Sequence, residues 1–355
     1  MKILITGGAG YIGSVANAFL NTLGVETIVL DNLIYGHKEA TEYSVIKNPS
    51  EFLKKANLLN NAANLNIQNP QKNTTFIQAD LANKTALKNI FAEYKIAAVL
   101  HFAAFAYVGE SVENPAKYYA NNVANTLNLL DVMREFRVFN IIFSSTCATY
   151  GVPQKLPLEE NHPQNPINPY GKTKWMMEQI LADYAAAYGF KFVILRYFNA
   201  AGASHFFDIG ESHKPETHLL PLVLEAALKK RAVFHVFGDD YATPDGSCIR
   251  DFIHVDDLAS AHILALRFLN DSKNDSAVFN LGNGKGFSVK EVIKAAEKIV
   301  GEKIPCEISA RRAGDPAILV GSSQKAKQVL AWNPQFSNIA DILKSALIWH
   351  KNQRY

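Results

Sequence analysis

Short apolar runs and longer amphipathic segments alternate along the first two-thirds of the chain. The short runs are rich in Ile, Val, Leu and Phe and lack polar alternation, which is typical of strands covered on both faces. The predicted strands are Lys2–Thr6, Glu26–Leu30, Thr75–Ala79, Ala97–Phe102, Asn140–Ser145 and Lys191–Tyr197. The predicted helices are Tyr11–Thr22, Lys84–Tyr94, a long one from about Val112 to Glu135, and Pro169–Tyr188. Repeated β-α units predict an α/β fold with a doubly wound parallel sheet.

The pattern loosens after about Ala200, where Gly, Pro, Asp and His interrupt shorter apolar segments. We therefore expect residues 1–200 to form the first domain and residues 201–355 a smaller α/β domain, with some segments returning to the first. One segment, at about 40–73, becomes rich in asparagine, which favours caps and turns over helix interiors. It is predicted to be a solvated surface insertion with a short helix and a mobile tip.

Charge and cysteine content exclude several classes of function. The 355 residues include 36 basic and 33 acidic side chains, a formal net charge of +3, which argues against binding nucleic acid through bulk charge. The three cysteines are far apart, so they predict neither a disulfide framework nor a metal site. No apolar stretch approaches the roughly 20 residues that span a bilayer. We expect a cytoplasmic protein without a membrane partner.

A glycine-rich turn joins the first strand to the first helix. It reads Gly7-Gly8-Ala9-Gly10-Tyr11-Ile12-Gly13 and satisfies G-x-G-x-x-G. Glycines allow the backbone to approach a pyrophosphate, and the helix N-terminus directs free N–H groups at its charge. The position between a strand and a helix is the context that such a motif requires. It predicts a dinucleotide site of the Rossmann type contacted by Gly7, Gly10, Tyr11, Ile12 and Gly13.

The second strand ends at Asp31, at the spacing expected of an acid that binds the adenosine ribose. A carboxylate there accepts hydrogen bonds from both ribose hydroxyls and repels a 2′-phosphate. No arginine follows it closely, so NAD is favoured over NADP. Asp80 and Leu81, after the third strand, are predicted to reach the adenine.

Tyr170 and Lys174 form a Y-x-x-x-K pair in the first turns of a predicted helix, after Asn168 and Pro169 as N-cap and first helical residue. The residues lie one turn apart on the same face. Lowering the tyrosine pKa from about 10 to about 7 takes about 4 kcal/mol, which a nearby ammonium and a nicotinamide cation would supply. The pair is predicted to transfer a proton, with one of the hydroxyls of Ser144-Ser145-Thr146, at the end of the fifth strand, as its partner.

These residues, in this order, resemble the extended short-chain dehydrogenase/reductase family and, within it, the UDP-glucose 4-epimerases. The glycine turn is shared by many relatives, whereas Val108–Val112 and Arg250–Val255 are more specific to epimerases. The segments that carry the resemblance are Thr6–Gly13, Leu30–Leu33, His101–Ala104, Val108–Val112, Tyr118–Asn122, Pro169–Lys174, Leu195–Asn199, Arg250–Val255 and Arg311–Asp315.

The resemblance implies specific roles. Tyr170 would be the base, Lys174 its electrostatic partner and a ribose ligand, and Thr146 the hydroxyl that shares the substrate proton. A C4 hydride would pass to tightly bound NAD and return to the opposite face of a 4-keto sugar. The implied NAD contacts further include Asp31, Asn32, Asp80, Leu81, Phe102, Ala103, Asn121 and Tyr197. The implied UDP-sugar contacts are Asn199, Leu220, Phe237, Arg250, Arg312, Asp315 and Leu319.

Leu319 falls where the family carries a residue that limits substrate size. An aromatic residue there resembles enzymes limited to glucose and galactose, and smaller residues resemble those that admit N-acetylated sugars. Leucine is intermediate, so some activity on UDP-N-acetylglucosamine is expected. Family resemblance also suggests a homodimer packed through helices of the first domain.

Four alternatives stay open at this point. The same machinery would serve a UDP-N-acetylglucosamine or a UDP-pentose 4-epimerase. A sugar-nucleotide dehydratase or decarboxylase shares the cofactor turn and the Tyr/Lys pair but needs an acid just after the strand-end hydroxyl, where this chain reads Thr146-Cys147-Ala148. A non-catalytic NAD-binding regulator would be expected to lack the Tyr/Lys pair or the hydroxyl, and all three are present.

Overall fold

A computed structural model describes residues 2–59, 65–312 and 316–355. Its strands are β1 (Lys2–Thr6), β2 (Thr27–Asp31), β3 (Thr74–Gln78), β4 (Ile96–His101), β5 (Asn140–Thr146), β6 (Lys191–Tyr197), β7 (Asn199–Ala201), β8 (Phe234–Phe237), β9 (Ile249–His254), β10 (Ala277–Leu281), β11 (Gly286–Ser288), β12 (Cys306–Ser309) and β13 (Ile318–Leu319). Its α-helices are α1 (Tyr11–Thr22), α2 (Ser50–Lys55), α3 (Lys84–Glu93), α4 (Val108–Glu113), α5 (Pro115–Tyr119), α6 (Asn125–Glu135), α7 (Pro169–Tyr188), α8 (Leu219–Ala227), α9 (Val255–Asn270), α10 (Val289–Val300), α11 (Gln324–Val329) and α12 (Ile339–Lys351).

Seven parallel strands form the main sheet in the order β10-β6-β5-β4-β1-β2-β3. The order reverses direction beside β1, so the carboxyl ends of β1 and β4 border the crevice in which such folds bind ligands. Both faces are apolar because helices cover both. This confirms the predicted doubly wound α/β fold.

The second half of the chain contributes to two places. Strand β10 pairs with β6 at the edge of the main sheet, and α9 packs against α1. The remaining segments form a separate core in which α8, α10 and α12 pack together. There β9 pairs with β7, β11 and β13, while β8 pairs with β12.

The long helix predicted from about Val112 to Glu135 is wrong in detail. The chain forms α4, then α5, then a wide π-type turn at Ala120–Ala124 and only then α6. Pro115 lacks the N–H that would continue α4, and Asn114 caps the new helix by accepting from the Lys117 N–H. The π-type turn moves Asn121 and Asn122 out of regular helical register beside the crevice.

The asparagine-rich segment is not simply a solvated insertion. Tyr43, Phe52 and Leu53 are buried in the apolar core on the α1 side of the sheet. The Phe52 ring lies 5.2 Å from that of Phe19. Two backbone carbonyls of this segment accept hydrogen bonds from the Arg267 guanidinium. The predicted tip includes residues 60–64, which lie outside the described residues.

Candidate active site

The glycine turn forms a cradle lined by backbone. Gly7 has a φ of +72°, and a Cβ there would lie 2.5 Å from the Ala103 nitrogen. A Cβ on Gly13 would lie 2.4 Å from the Gly7 carbonyl oxygen. Only glycine therefore fits at these two positions, and the first N–H groups of α1 beside them have no partner within the helix. A pyrophosphate fits this cradle, since it needs close backbone approach and N–H donors.

Asp31 is the last residue of β2, and only 7% of its surface is exposed. Burial raises the pKa of its carboxyl, and hydrogen bonds from the N–H groups of Leu33 and Ala9 oppose that effect. These bonds fix both carboxylate oxygens at the edge of the cradle. Next to it the Asn32 amide donates to the Asp80 carboxylate over 2.6 Å. Leu81 is buried in the apolar core on the face of the sheet that lies away from α1.

The end of β4 forms the other wall. The N–H groups of Phe102 and Ala103 both donate to the Thr6 carbonyl, which draws this backbone against the glycine turn. The Asn121 amide donates to the Asn122 side chain over 3.0 Å. Asn122 in turn binds both backbone groups of Phe105, which fixes the segment after β4. These bonds hold the backbone after β4 next to the glycine turn.

Tyr170 lies in the first turn of α7, which Asn168 caps by accepting from the Gly171 N–H. Its hydroxyl interacts with Thr146, the last residue of β5. Burial raises the pKa of Tyr170 to about 12, and the interaction with Thr146 acts in the opposite direction. The sequence predicted that Lys174 lowers the pKa of Tyr170, but the protein's own groups leave that pKa raised. A cationic group beside the phenol must supply the rest.

Lys174 is buried one turn along α7, and its ammonium donates to the Ser144 carbonyl over 2.8 Å. Burial lowers its pKa to about 7, while the negative charge of Glu178 acts to raise it. Glu178, the next residue on this face of the helix, forms a buried ion pair with Arg196. Lys174 is thus fixed to the strand that carries Thr146.

One functional neighbour was not predicted from the sequence. The Tyr197 hydroxyl bonds to Ser144 and, over 2.6 Å, to His262 Nε2. His262 Nδ1 lies 2.8 Å from the Leu258 carbonyl, which only accepts, so Nδ1 carries the proton and Nε2 accepts from Tyr197. Burial lowers the His262 pKa to about 4, and its ring packs against Phe102.

Three of the predicted substrate residues lie in the second half of the chain: Phe237, Arg250 and Arg312. Arg312 stacks its guanidinium 3.9 Å from the Phe237 ring centre. Both residues line a cavity of about 190 Å³ with Glu216, Thr217 and Arg231. Arg250 donates to the carbonyls of Ile249 and Pro316, and its charge lowers the pKa of Cys147, which burial raises to about 12.

The other predicted substrate residues differ in exposure. Leu319 packs against a small cluster that includes Cys147, Tyr150 and Phe198, and it pairs with Arg250 in the sheet. Asn199 opens β7 and is partly exposed. Leu220 is 2% exposed and faces the core of the second half. Asp315 lies outside the described residues.

Comparison with known proteins decides the family. The model of the NAD dependent epimerase/dehydratase family matches residues 3–282. The chain belongs to this family. It is 46% identical over 99% of its length to the UDP-glucose 4-epimerase of Streptococcus mutans serotype c, of which the match covers 97%.

Solved structures of relatives have the same fold. That of the Brucella ovis UDP-glucose 4-epimerase in complex with NAD superposes with a TM-score of 0.85, at 43% identity, over 98% of this chain and 97% of that one. That of the Campylobacter jejuni UDP-Glc/GlcNAc 4-epimerase superposes with a TM-score of 0.81, at 41% identity, over 99% of each chain.

These findings confirm the predicted family, its fold and NAD as its cofactor, and the curated relatives are epimerases as the sequence predicted. Within the described ranges, no helix combines the length and apolarity needed to cross a bilayer.

Proposed function

We propose that Tyr170, Thr146 and Lys174 carry out the NAD-dependent 4-epimerisation of a UDP-hexose, interconverting UDP-glucose and UDP-galactose. The observation that carries the proposal is the placement of Tyr170, in the first turn of α7, where it interacts with Thr146 at the end of β5. It joins a base and a proton-sharing hydroxyl in a chain whose relatives are UDP-glucose 4-epimerases.

NAD, when bound, supplies a carbon that accepts a hydride and gives it back. The chain's own residues then have to move one proton and hold the nucleotide. Tyr170 receives the proton of the C4 hydroxyl through its interaction with Thr146 and returns it after the sugar has turned over. In this proposal Lys174 stabilises the phenolate and binds the nicotinamide ribose. The cofactor contacts are proposed to be Gly7, Gly10, Tyr11, Ile12, Gly13, Asp31, Asn32, Asp80, Leu81, Phe102, Ala103, Asn121, Lys174 and Tyr197.

Epimerisation needs a firmly held nucleotide and a loosely held sugar, since the sugar must present both faces. Arg250 and Arg312 are suited to the diphosphate because a guanidinium offers forked donors to phosphate oxygens. Phe237 offers its ring to the uracil in the cavity that it shares with Arg312. Asn199, Leu220, Asp315 and Leu319 are the remaining proposed contacts.

Product analysis tests the assignment. Purified protein is denatured to release and identify its cofactor, and the intact protein is incubated with UDP-galactose without added nucleotide. NMR should show UDP-glucose accumulating towards equilibrium. A 4-keto-6-deoxy sugar would instead indicate a dehydratase, and carbon dioxide released from UDP-glucuronate in a parallel incubation would indicate a decarboxylase. A protein that binds NAD without converting any sugar would be a regulator.

UDP-N-acetylglucosamine is a second candidate substrate. Leu319 is smaller than an aromatic residue and packs at the edge of the Cys147 cluster, next to the strand end that carries Thr146. The Campylobacter jejuni relative is a UDP-Glc/GlcNAc 4-epimerase. No turnover of this substrate where UDP-galactose reacts would exclude it. A UDP-pentose is tested in the same assay.

The organisation of the chain follows from this function. Residues 1–200 are proposed to bind NAD and residues 201–355 to bind the UDP-sugar, with α9 and β10 returning to the main sheet. We place a homodimer contact on helices of the first unit, where Val112 and Met176 are exposed apolar side chains. Sedimentation tests this. The free thiols of Cys147, Cys248 and Cys306 are in keeping with the cytoplasm.

A further inference from the structure

Two histidines and two glutamates meet in the segment between β7 and α8. The residues are Glu211, His213, Glu216 and His218, and one ligand atom of each lies within 4.8 Å of all the others. Glu211 is 4% exposed, and the side chains of Glu216 and His213 are 7% and 16% exposed. The His218 side chain, at 41%, forms the open side of the cluster. None of these groups has a part in the proton transfer described above.

The spacing of the donor atoms matches a small coordination polyhedron. His218 Nδ1 lies 2.6 Å from Glu211 and 3.3 Å from Glu216, while His213 Nδ1 lies 3.3 Å and 3.7 Å from the same two carboxylates. A tetrahedral zinc site with bonds of 2.0–2.1 Å has donor-to-donor edges of about 3.3 Å. The four contacts scatter around this length.

The two imidazole nitrogens are not satisfied by hydrogen bonds. His213 Nδ1 and His218 Nδ1 are both buried, and neither has a hydrogen-bond partner among the described residues, although the carboxylates lie at ion-pair distance. Their approach thus lacks the geometry of an N–H donor bond. Glu216 is held in place from behind, because its Oε1 accepts the N–H groups of Thr217 and His218. Four donor groups whose ligand atoms converge within 4.8 Å are what a cation requires.

We propose that Glu211, His213, Glu216 and His218 bind one divalent transition-metal ion, with Zn²⁺ as the best match. The ion displaces any imidazole protons on binding, after which two imidazoles and two carboxylates balance its charge. The mixture of nitrogen and oxygen donors selects Zn²⁺ over Mg²⁺ or Ca²⁺.

The surroundings indicate what the ion does. The Tyr107 ring lies 6.0 Å from the His213 ring and 6.1 Å from the His218 ring, and Tyr107 belongs to the segment that follows β4. Trp349 of α12 donates to the Glu211 carbonyl over 2.8 Å. An ion here would crosslink the segment between β7 and α8 at the place where this segment contacts Tyr107 of the first half and Trp349 of α12. It therefore stabilises the fold beside the crevice without touching the reacting atoms.

Metal content and affinity test the proposal directly. The full chain is produced without a histidine tag, and its metals are measured by mass spectrometry. After chelation and dialysis, Zn²⁺ is titrated by calorimetry with Mg²⁺ as a parallel probe. We expect one Zn²⁺ per chain, a higher Tm with Zn²⁺, no Mg²⁺ binding, and a Co²⁺ form with the visible spectrum of four-coordinate cobalt.

Variants separate this site from scattered surface histidines. The double variant His213→Gln/His218→Gln should lose at least about 100-fold in Zn²⁺ affinity. Glu211→Gln should also bind Zn²⁺ more weakly, but with a smaller loss. His162→Gln, which alters a histidine elsewhere, should bind as the wild type does. NAD binding by the zinc-free double variant checks that it folds. Equal Zn²⁺ binding by wild type and double variant, or none by either, overturns the proposal. Neither result bears on the epimerase assignment, which is measured with substrate.

Discussion

The Lys174 ammonium is bonded to the Ser144 carbonyl, 2.8 Å away and two residues before Thr146 on the same strand. This bond ties α7, which carries Tyr170, to the strand that carries the partner hydroxyl. The pKa of Lys174, lowered to about 7 by burial, shows how strongly the site disfavours an isolated charge. A phenolate formed at Tyr170 would favour the protonated lysine, so the two charges are expected to appear together.

Removal of the Tyr170 hydroxyl tests the role of the base. Tyr170→Phe should lower kcat by about 10²- to 10⁴-fold, the range that a positioned acid or base contributes. Its content of bound NAD should stay as in the wild type, because the cradle is unchanged. Unchanged turnover would refute the proton-transfer assignment.

Two substitutions at Thr146 separate its hydroxyl from its shape. Thr146→Val keeps the branched side chain but loses the hydroxyl that interacts with Tyr170, and kcat should fall by about 10²-fold. Thr146→Ser retains the hydroxyl and should stay close to the wild type. Equal losses in the two variants would mean that Thr146 acts only through packing.

Two helical glycines form a matched pair: Gly13 lies in the cradle at the start of α1, and Gly109 lies in α4. In Gly13→Ala the new Cβ meets the Gly7 carbonyl oxygen at 2.4 Å, so the turn must shift and bound NAD should be lost, with a cost of about 1–3 kcal/mol in stability. In Gly109→Ala the Cβ meets no atom within 4 Å, and the stability should be equal or slightly higher. Retention of NAD by Gly13→Ala would contradict the cradle.

Substrate breadth should depend on the side chain at Leu319. Leu319→Tyr adds bulk beside Cys147 and is expected to reduce kcat/KM for UDP-N-acetylglucosamine at least about tenfold while UDP-galactose is largely unaffected. Leu319→Val serves as the control, and it should keep activity on both sugars. An equal loss on both substrates in Leu319→Tyr would show that Leu319 does not discriminate between them.

Asp257 makes stability depend on pH. It accepts the N–H groups of Gln335 and Phe336, yet burial raises its pKa from 3.8 to about 7. The native state therefore binds more protons than the unfolded state between about pH 4 and pH 7, so this residue's contribution to stability falls as the pH rises through that window, by at most about 4 kcal/mol. Asp257→Asn removes the titration. Chemical denaturation at several pH values should show a flatter curve for the variant, and parallel curves would contradict this.

The sequence predicted the main sheet well because each β-α unit has a local signal. Apolar runs marked six of its seven strands to within one or two residues, and the capped helix after Pro169 was placed correctly. Strand β10 was missed because its place beside β6 is set by packing over a long sequence separation. The burial of Tyr43 and Phe52 was missed for the same reason, since asparagines around them suggested a solvated segment.

The site divides in the same way. Gly7, Asp31 and Tyr170 could be found because each stands at the end of a predicted element. His262 could not, because its partner Tyr197 lies on a distant strand. The Glu211–His218 cluster lies within one segment, but its spacing matches no motif that would predict convergence. The direction of the Tyr170 pKa shift could not be predicted either, because it depends on the burial of the side chain, which the spacing of residues in the sequence does not reveal.

In the proposed mechanism only the hydroxyl proton passes through Tyr170 and Thr146, while the hydrogen on C4 does not exchange with solvent. The direct measurement uses UDP-galactose deuterated at C4, incubated with the purified protein in ordinary water without added nucleotide. The UDP-glucose formed should retain its deuterium at C4. Loss of the deuterium to water during conversion would contradict this mechanism.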